Sequence, residues 1–268
     1  MWINKVGLFD ETLQQKFYKV TYKSDKLKVK ALMYEPNAVK RIVMYLRGGK
    51  GNVGQIRTAR LMQFAYPDTM VIGPYYRGYE GNGKDEFGGS DQEDVLSLVR
   101  LLQMNYPDVP IHFIGFSRGG LQGLLTFEKA QVNSFVFWGG VSSIYYMYEE
   151  RKDLRGMLHK LVGDIHEVPN EYDKREAINH ITTNAPPIMI IHGEEDTNVG
   201  VKHAYMLDEK LNALNVPHEM YIIPNEPHVL SEKALEKTLG SILEFFEAVE
   251  SNNKKHTKIS SEVIYDSR

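Results

Sequence analysis

The chain has 268 residues, 42% of them hydrophobic and 25% charged, which suits one large globular domain and excludes a disordered polymer. A formal charge of −3 gives no basic footprint for nucleic acid, and the longest apolar runs are far too short to cross a membrane. Cysteine is absent, so disulfides, a thiol nucleophile and cysteine-ligated metal sites are excluded together.

In chain order, the N-terminal decapeptide Met1 to Asp10 has no sustained apolar segment or cleavage signal, so a cytoplasmic protein is the expectation. Phe17–Tyr22 and Leu27–Tyr34 are β-rich stretches around Lys-Ser-Asp-Lys and predict an antiparallel hairpin. Arg41–Leu46 reads as a buried strand that ends in Arg47-Gly-Gly-Lys-Gly-Asn52. A helix is expected near Gln55–Tyr66, then a strand over Thr69–Gly73 and a polar loop from Pro74 to Gly89, rich in glycine and tyrosine. Ser90-Asp-Gln-Glu93 has the spacing of a capping box, serine at N-cap and glutamate at N3. Val95, Leu98, Val99, Leu101 and Leu102 give the following helix an apolar stripe that stops before Pro107.

Next comes the most informative segment. The apolar run Ile111–Ile114 leads into Gly115-Phe-Ser117-Arg-Gly-Gly120 and then Leu121–Phe127, a strand, a G-x-S-x-G turn and a helix. This is the order of a nucleophile elbow, in which a tight turn holds the serine oxygen above the sheet at the helix N-terminus. Glycines two residues to either side let strand and helix approach. Strands over Ser134–Trp138, Pro187–Ile191 and His218–Ile223 follow, with helices near Val201–Leu214 and Ser231–Val249. Residues 140–184 are helix-prone and charged, which predicts a helical insertion overhanging the serine. From Ser251 the chain is polar, and a poorly ordered tail is expected over 251–268. Continuous apolar strands alternating with helices indicate a mostly parallel sheet covered on both faces.

A serine hydroxyl needs a base, and the base needs an oriented acid. With Ser117 as nucleophile, the elbow fold places the acid next and the histidine last in the chain. Asp196 lies just past a buried strand in His192-Gly-Glu-Glu-Asp196-Thr-Asn-Val and is the candidate acid, with Glu194 and Glu195 as rivals. His228 follows the last strand at its C-terminal end and is the candidate base. His203 falls inside a helix, His218 starts a strand, and His256 lies in the tail. The oxyanion donors expected are the backbone N–H groups of Arg118 and Gly49.

Together these pieces resemble the catalytic domain of the prolyl oligopeptidase family of α/β-hydrolase serine hydrolases. The motifs are Arg47-Gly-Gly, Tyr75-Tyr-Arg-Gly-Tyr-Glu-Gly-Asn-Gly83, the Ser117 elbow, Tyr172-Asp-Lys-Arg-Glu-Ala-Ile-Asn-His180, the Asp196 loop and Glu226-Pro-His228, in that order. The resemblance covers roughly Phe17 to Phe246 and implies an α/β-hydrolase fold, with a single domain expected over residues 1–250. Two departures stand out. The stretch before Arg41 is too short for the N-terminal β-propeller common in the family, so peptidase specificity does not carry over. The loop that commonly reads His-Gly-Gly-Pro is Arg47-Gly-Gly-Lys here.

The reading is a serine hydrolase of small esters, without cofactor or metal, acting on a small-molecule ester or short peptide. Neither nucleic acid nor membrane is an expected partner, and oligomeric state stays open. Short-peptide hydrolysis is the runner-up, a hydrolase-like binding protein without turnover the competing class. Arg47, Tyr76 and Tyr145 are candidates for substrate binding. Arg47 competes between holding an oxyanion or substrate carboxylate and a structural ion pair with Asp85 or Glu86. The tyrosines compete with plain packing.

Overall fold

The computed structural model describes residues 2–49, 54–79 and 82–265, with side chains up to 252. Residues 50–52 of the glycine-rich loop, residues 80–81 of the tyrosine-rich loop and the His256 side chain lie outside the described residues.

Among the described residues one nine-stranded sheet organises the chain, in the order β1-β2-β3-β5-β4-β6-β7-β8-β9. β1 (Asn4–Asp10), β2 (Gln15–Ser24) and β3 (Leu27–Tyr34) are antiparallel, and β3 pairs antiparallel with β5 (Thr69–Pro74). From β5 onward every pairing is parallel, through β4 (Arg41–Leu46), β6 (Ile111–Phe116), β7 (Ser134–Trp138), β8 (Ile188–Gly193) and β9 (His218–Ile223). This is the α/β-hydrolase fold. The opening hairpin turns where expected, with Asp25 in the left-handed region at φ 50°. β1 was not foreseen. It is exposed on both faces, so it lacks the buried periodicity that marks its neighbours.

The central strands are buried on both faces, and successive residues serve opposite cores. Ile42, Met44 and Leu46 of β4 join Phe113 and Phe135 beneath α2 (Gln92–Asn105), α3 (Arg118–Ala130) and α7 (Lys202–Ala213). Val43 and Tyr45 join Ile114, Val136 and Ile191 beneath α1 (Thr58–Met62) and α8 (Glu232–Tyr265). β4 is the switch point, with β5 on one side and β6 on the other, and the crevice at its carboxyl end is where such sheets bind ligands.

Two local expectations are corrected. Ser90 does not cap α2, whose N-cap is Asp91, because the Ser90 hydroxyl is drawn to Glu86 Oε2 at 2.5 Å. Glu93 instead accepts from the Ser97 hydroxyl at 2.6 Å. At the chain end, α8 continues to Tyr265 through the segment expected to be a loose tail, and no glycine or proline interrupts it after Gly240.

The last helix is tied to the far end of the sheet. Glu250 accepts from Arg41 Nη2 at 2.9 Å and lies 3.1 Å from His112 Nε2, while His112 Nδ1 meets Ser134 Oγ at 2.7 Å. Burial works against the Glu250 anion, but His112 and Arg41 outweigh it and bring its pKa from 4.5 down to about 2. Burial likewise pushes the His112 pKa down.

Residues 140–184 are helical as expected, built from α4 (Ile144–Glu150), α5 (Arg155–Leu161) and α6 (Pro169–Asp173) with short 3-10 turns. Its partner, however, is the loop after β8. Gly200 N–H donates to Glu150 Oε2 at 3.3 Å, Arg151 Nη1 donates to the Asn198 carbonyl, and His203 Nε2 lies 3.0 Å from Glu150.

Candidate active site

Ser117 sits between β6 and α3 at φ 58°, ψ −123°, a conformation that a non-glycine residue holds only when its surroundings enforce it. The enforcement is visible. A Cβ on Gly115 would lie 2.4 Å from the Gly119 carbonyl oxygen, and one on Gly119 would lie 1.9 Å from that of Leu46. The Ser117 N–H donates to Trp138 O at 3.1 Å, and its carbonyl accepts from Gly120 N at 2.9 Å and Val141 N at 3.1 Å. Three backbone partners thus fix a residue whose side chain makes no hydrogen bond among the described residues.

Asp196 and His228 are brought together. His228 Nδ1 lies 2.6 Å from Asp196 Oδ2, so that nitrogen carries the proton and donates it, leaving the Nε2 lone pair free. Asp196 Oδ1 accepts from Asn198 N at 2.8 Å and Val199 N at 2.9 Å. Burial would raise the Asp196 pKa. Contacts from His192, His228 and the Val199 N–H outweigh that and hold the carboxyl well below the usual range. Rivals go elsewhere: Glu194 and Glu195 face solvent, His203 is buried on Glu150, and His218 pairs with Asp208 at 3.0 Å.

His192 was quoted within the acid motif but given no role by sequence. It is fully buried at the end of β8, with Nε2 2.8 Å from Val199 O and 3.4 Å from Asp196 Oδ2. Because a carbonyl only accepts, Nε2 bears the proton, and its positive edge also faces the acid. The available signal was a histidine closing an otherwise apolar buried strand, since such a group must find a polar partner.

The expected oxyanion loop lies directly against the serine. A Cβ on Gly48 would stand 3.0 Å from Ser117 Cβ and 3.4 Å from its Oγ. Gly49 has φ 70°, and Arg118 opens α3, so its N–H has no acceptor within the helix. Two guanidinium groups hold this loop from behind. Arg47 Nη1 donates to Gly48 O at 3.0 Å and Arg118 Nη1 to Gly49 O at 3.1 Å. In a planar trans peptide the Gly49 N–H then points away from the Arg47 guanidinium.

Both arginines are buried structural elements. Arg47 is 1% exposed, and its Nη2 also donates to Tyr75 O at 2.9 Å. Burial pushes its ionisation below the usual range. The carboxylates considered as its partners are engaged elsewhere: Asp85 accepts from Arg118 at 2.7 and 2.8 Å, and Glu86 holds Ser90. Arg118 also donates to Asp91 at 2.6 Å.

Ser117, His228, Gly48 and Gly49 line one groove of about 720 Å³, closed by Tyr45, Phe116 and the segment from Gly54 to Gln63 around α1. No residue of 140–184 lines it. Neither do the tyrosine candidates. Tyr76 is 1% exposed, with the guanidinium groups of Arg47 and Arg118 at 5.2 and 5.3 Å from its ring centroid. Tyr145 donates to Asp173 at 2.8 Å and packs on Tyr172. Among the described residues no cluster of three or more His, Asp and Glu side chains is arranged to hold a metal ion, and no helix is long and apolar enough to cross a membrane.

A family model described as the prolyl oligopeptidase family matches residues 53–252. The uncharacterized peptidase YtmA of Bacillus subtilis (strain 168) is 41% identical over 227 residues, covering 81% of this chain and 88% of its own. Among solved structures, a Mycobacterium tuberculosis puromycin-hydrolyzing peptidase aligns with a TM-score of 0.76 at 18% identity, covering 90% of this chain and 40% of that one. A Pyrococcus furiosus esterase aligns with a TM-score of 0.66 at 20% identity, covering 91% and 95%. The chain therefore spans two fifths of the mycobacterial protein and nearly all of the esterase, and at such identities the likeness concerns the fold.

Proposed function

The chain belongs to the prolyl oligopeptidase family, and from that premise we propose that it is a serine hydrolase cleaving ester bonds of small substrates through Ser117, His228 and Asp196. Ser117 Oγ attacks the acyl carbonyl while His228 Nε2 takes its proton. The oxygen of the tetrahedral intermediate receives the N–H groups of Gly49 and Arg118, and the α3 N-terminus stabilises its charge. His228 then returns the proton to the departing alcohol. Water, activated by the same nitrogen, hydrolyses the acyl-enzyme. Asp196 keeps the imidazole in the tautomer this requires. The observation that carries the reading is the 2.6 Å Asp196–His228 pair, whose histidine lines the groove together with a serine at strained backbone angles.

Peptide hydrolysis is the second reading, favoured by the YtmA relative, whose name is that of a peptidase. Rates on p-nitrophenyl esters against aminoacyl amides separate the two.

The test of the hydrolase itself is labelling by a fluorophosphonate probe with kinetics on phenyl acetate. Wild type should label and Ser117→Ala should not. Ser117→Ala and His228→Ala should each lower turnover by about 10⁴ or more, and the double variant should be hardly worse, because the groups act as a unit. Asp196→Asn should cost somewhat less. Additive losses, or a Ser117→Ala enzyme that retains turnover, refute the assignment.

A further inference from the structure

Among the described residues, the groove carries formal charge on one wall. Among its described lining residues are two cations, Arg57 and Arg60, and no aspartate or glutamate. Arg60 lies over the rings of Phe116 and Tyr45, at 5.4 and 6.0 Å from their centroids. Its Nη1 donates to Gln63 Oε1 at 2.8 Å, a neutral amide that aims the guanidinium without cancelling its charge. Arg57 is exposed, and neither arginine has a carboxylate partner among the described residues. The acid nearest in the hydrogen-bond network, Asp10, is occupied by the Thr58 hydroxyl at 2.6 Å and the N–H groups of Thr12 and Leu13 at 3.0 Å.

Which end of a substrate meets this wall follows from the chemistry of the site. The group that leaves receives its proton from His228, so it departs along the His228 side of Ser117. Phe116, the residue before the nucleophile, packs its ring 4.7 Å from the His228 ring and is itself beneath Arg60. The wall of Phe116, His228, Arg57 and Arg60 is therefore the leaving-group side. A guanidinium presents several donors in a fixed fork matched to a carboxylate.

We propose that Arg57 and Arg60 select substrates whose leaving group carries a carboxylate, such as a hydroxy acid esterified through its hydroxyl. The proposal rests on the serine hydrolase reading and names the substrate class of that same site. It moves anion recognition from Arg47, whose guanidinium holds backbone carbonyls, to α1 and the residue before it.

The test compares 4-acetoxybenzoate with its neutral isostere 4-acetoxybenzamide, each rate corrected for spontaneous hydrolysis. Wild type should favour the carboxylate ester in kcat/KM by about tenfold or more, chiefly through KM, as befits charge-assisted hydrogen bonds partly open to water. Arg57→Gln and Arg60→Gln should each reduce the ratio several-fold, and the double variant should bring it near one. Arg100→Gln, remote on α2, should leave the ratio as in wild type. A second measurement needs no turnover of the anionic ester. 4-Hydroxybenzoate should inhibit hydrolysis of the amide-bearing ester more strongly than 4-hydroxybenzamide, and the double variant should lose the difference. Equal ratios in wild type and double variant, or no wild-type preference, overturn the proposal while leaving the hydrolase intact. If neither ester turns over and the fluorophosphonate does not label, the hydrolase reading falls and this proposal with it.

Discussion

Replacing Gly48 with alanine probes the oxyanion loop with one methyl group. The added Cβ would stand 3.0 Å from Ser117 Cβ and 3.3 Å from Phe116 O, where relaxed carbon contacts need about 3.5–4.0 Å. Ser117 cannot retreat, because Gly115 and Gly119 leave no room behind the elbow. The loop must give instead by roughly half an ångström or more, and it takes the Gly49 N–H with it. One oxyanion donor is worth about 2.7–4 kcal/mol, and a displacement near 1 Å costs on the order of 10²-fold. Gly48→Ala should therefore lower kcat on phenyl acetate by roughly 10²-fold, with a smaller effect on melting temperature, since the strain falls on the loop after β4 and not on the sheet. Gly156→Ala is the control, since its Cβ meets nothing within 4 Å on α5. It should leave kinetics unchanged and stabilise the helix by about 0.5–1 kcal/mol. A Gly48→Ala enzyme with wild-type kcat would falsify the placement of the oxyanion in this loop.

Other expectations follow from the surrounding network. Arg118→Met should take a shared cation from the buried carboxylates of Asp85 and Asp91 and cost about 3–5 kcal/mol in urea denaturation, and near-wild-type stability would show that other groups compensate them. His192→Leu removes a donor facing Asp196, strengthens that acid's hold on the His228 cation, and should move the acid limb of the kcat/KM profile to higher pH. His192→Gln, which keeps an N–H at the same reach, should restore the limb, whereas a purely structural role would lower melting temperature in both without moving it. Glu250 contributes stability that is complete above its ordinary pKa of 4.5 and is lost as pH falls toward its folded value of about 2. Glu250→Gln should thus be less stable at pH 7 and show a shallower decline of urea midpoint between those pH values, and parallel curves would contradict the linkage.

The elbow was legible because its geometry admits few residues. A strand and helix that approach within van der Waals contact require glycine at 115 and 119, and the pattern survives as letters in the chain. The pairing of Asp196 with His228 was legible because chain order and strand ends favour those two over Glu194, Glu195 and the other histidines. Arg47 was opaque for a different reason. Its acceptors include the carbonyls of Gly48 and Tyr75, groups every residue possesses, so no residue type announces those bonds. Ser90 was misread because a carboxylate four residues earlier competes for its hydroxyl. β1 has a solvated surface on both faces, and only its pairing with β2 reveals it. Arg57 and Arg60 fall in a segment whose sequence marks it only as helical, and it is the fold that sets Arg60 over Phe116.

The attachment of α4 to the acid loop restricts how this enzyme can diversify. Glu150 and Arg151 grip the backbone at Gly200 and Asn198, four and two residues beyond Asp196. A segment free to vary would let new specificities arise by exchange of whole insertions among relatives. Here a transplanted insertion lacking that pair would leave the acid loop unsupported, and shortening 140–184 should lower kcat before it alters substrate ranking. Variation is less constrained at α1, which borders the groove without holding any catalytic group, so substrate preference can drift there by single substitutions.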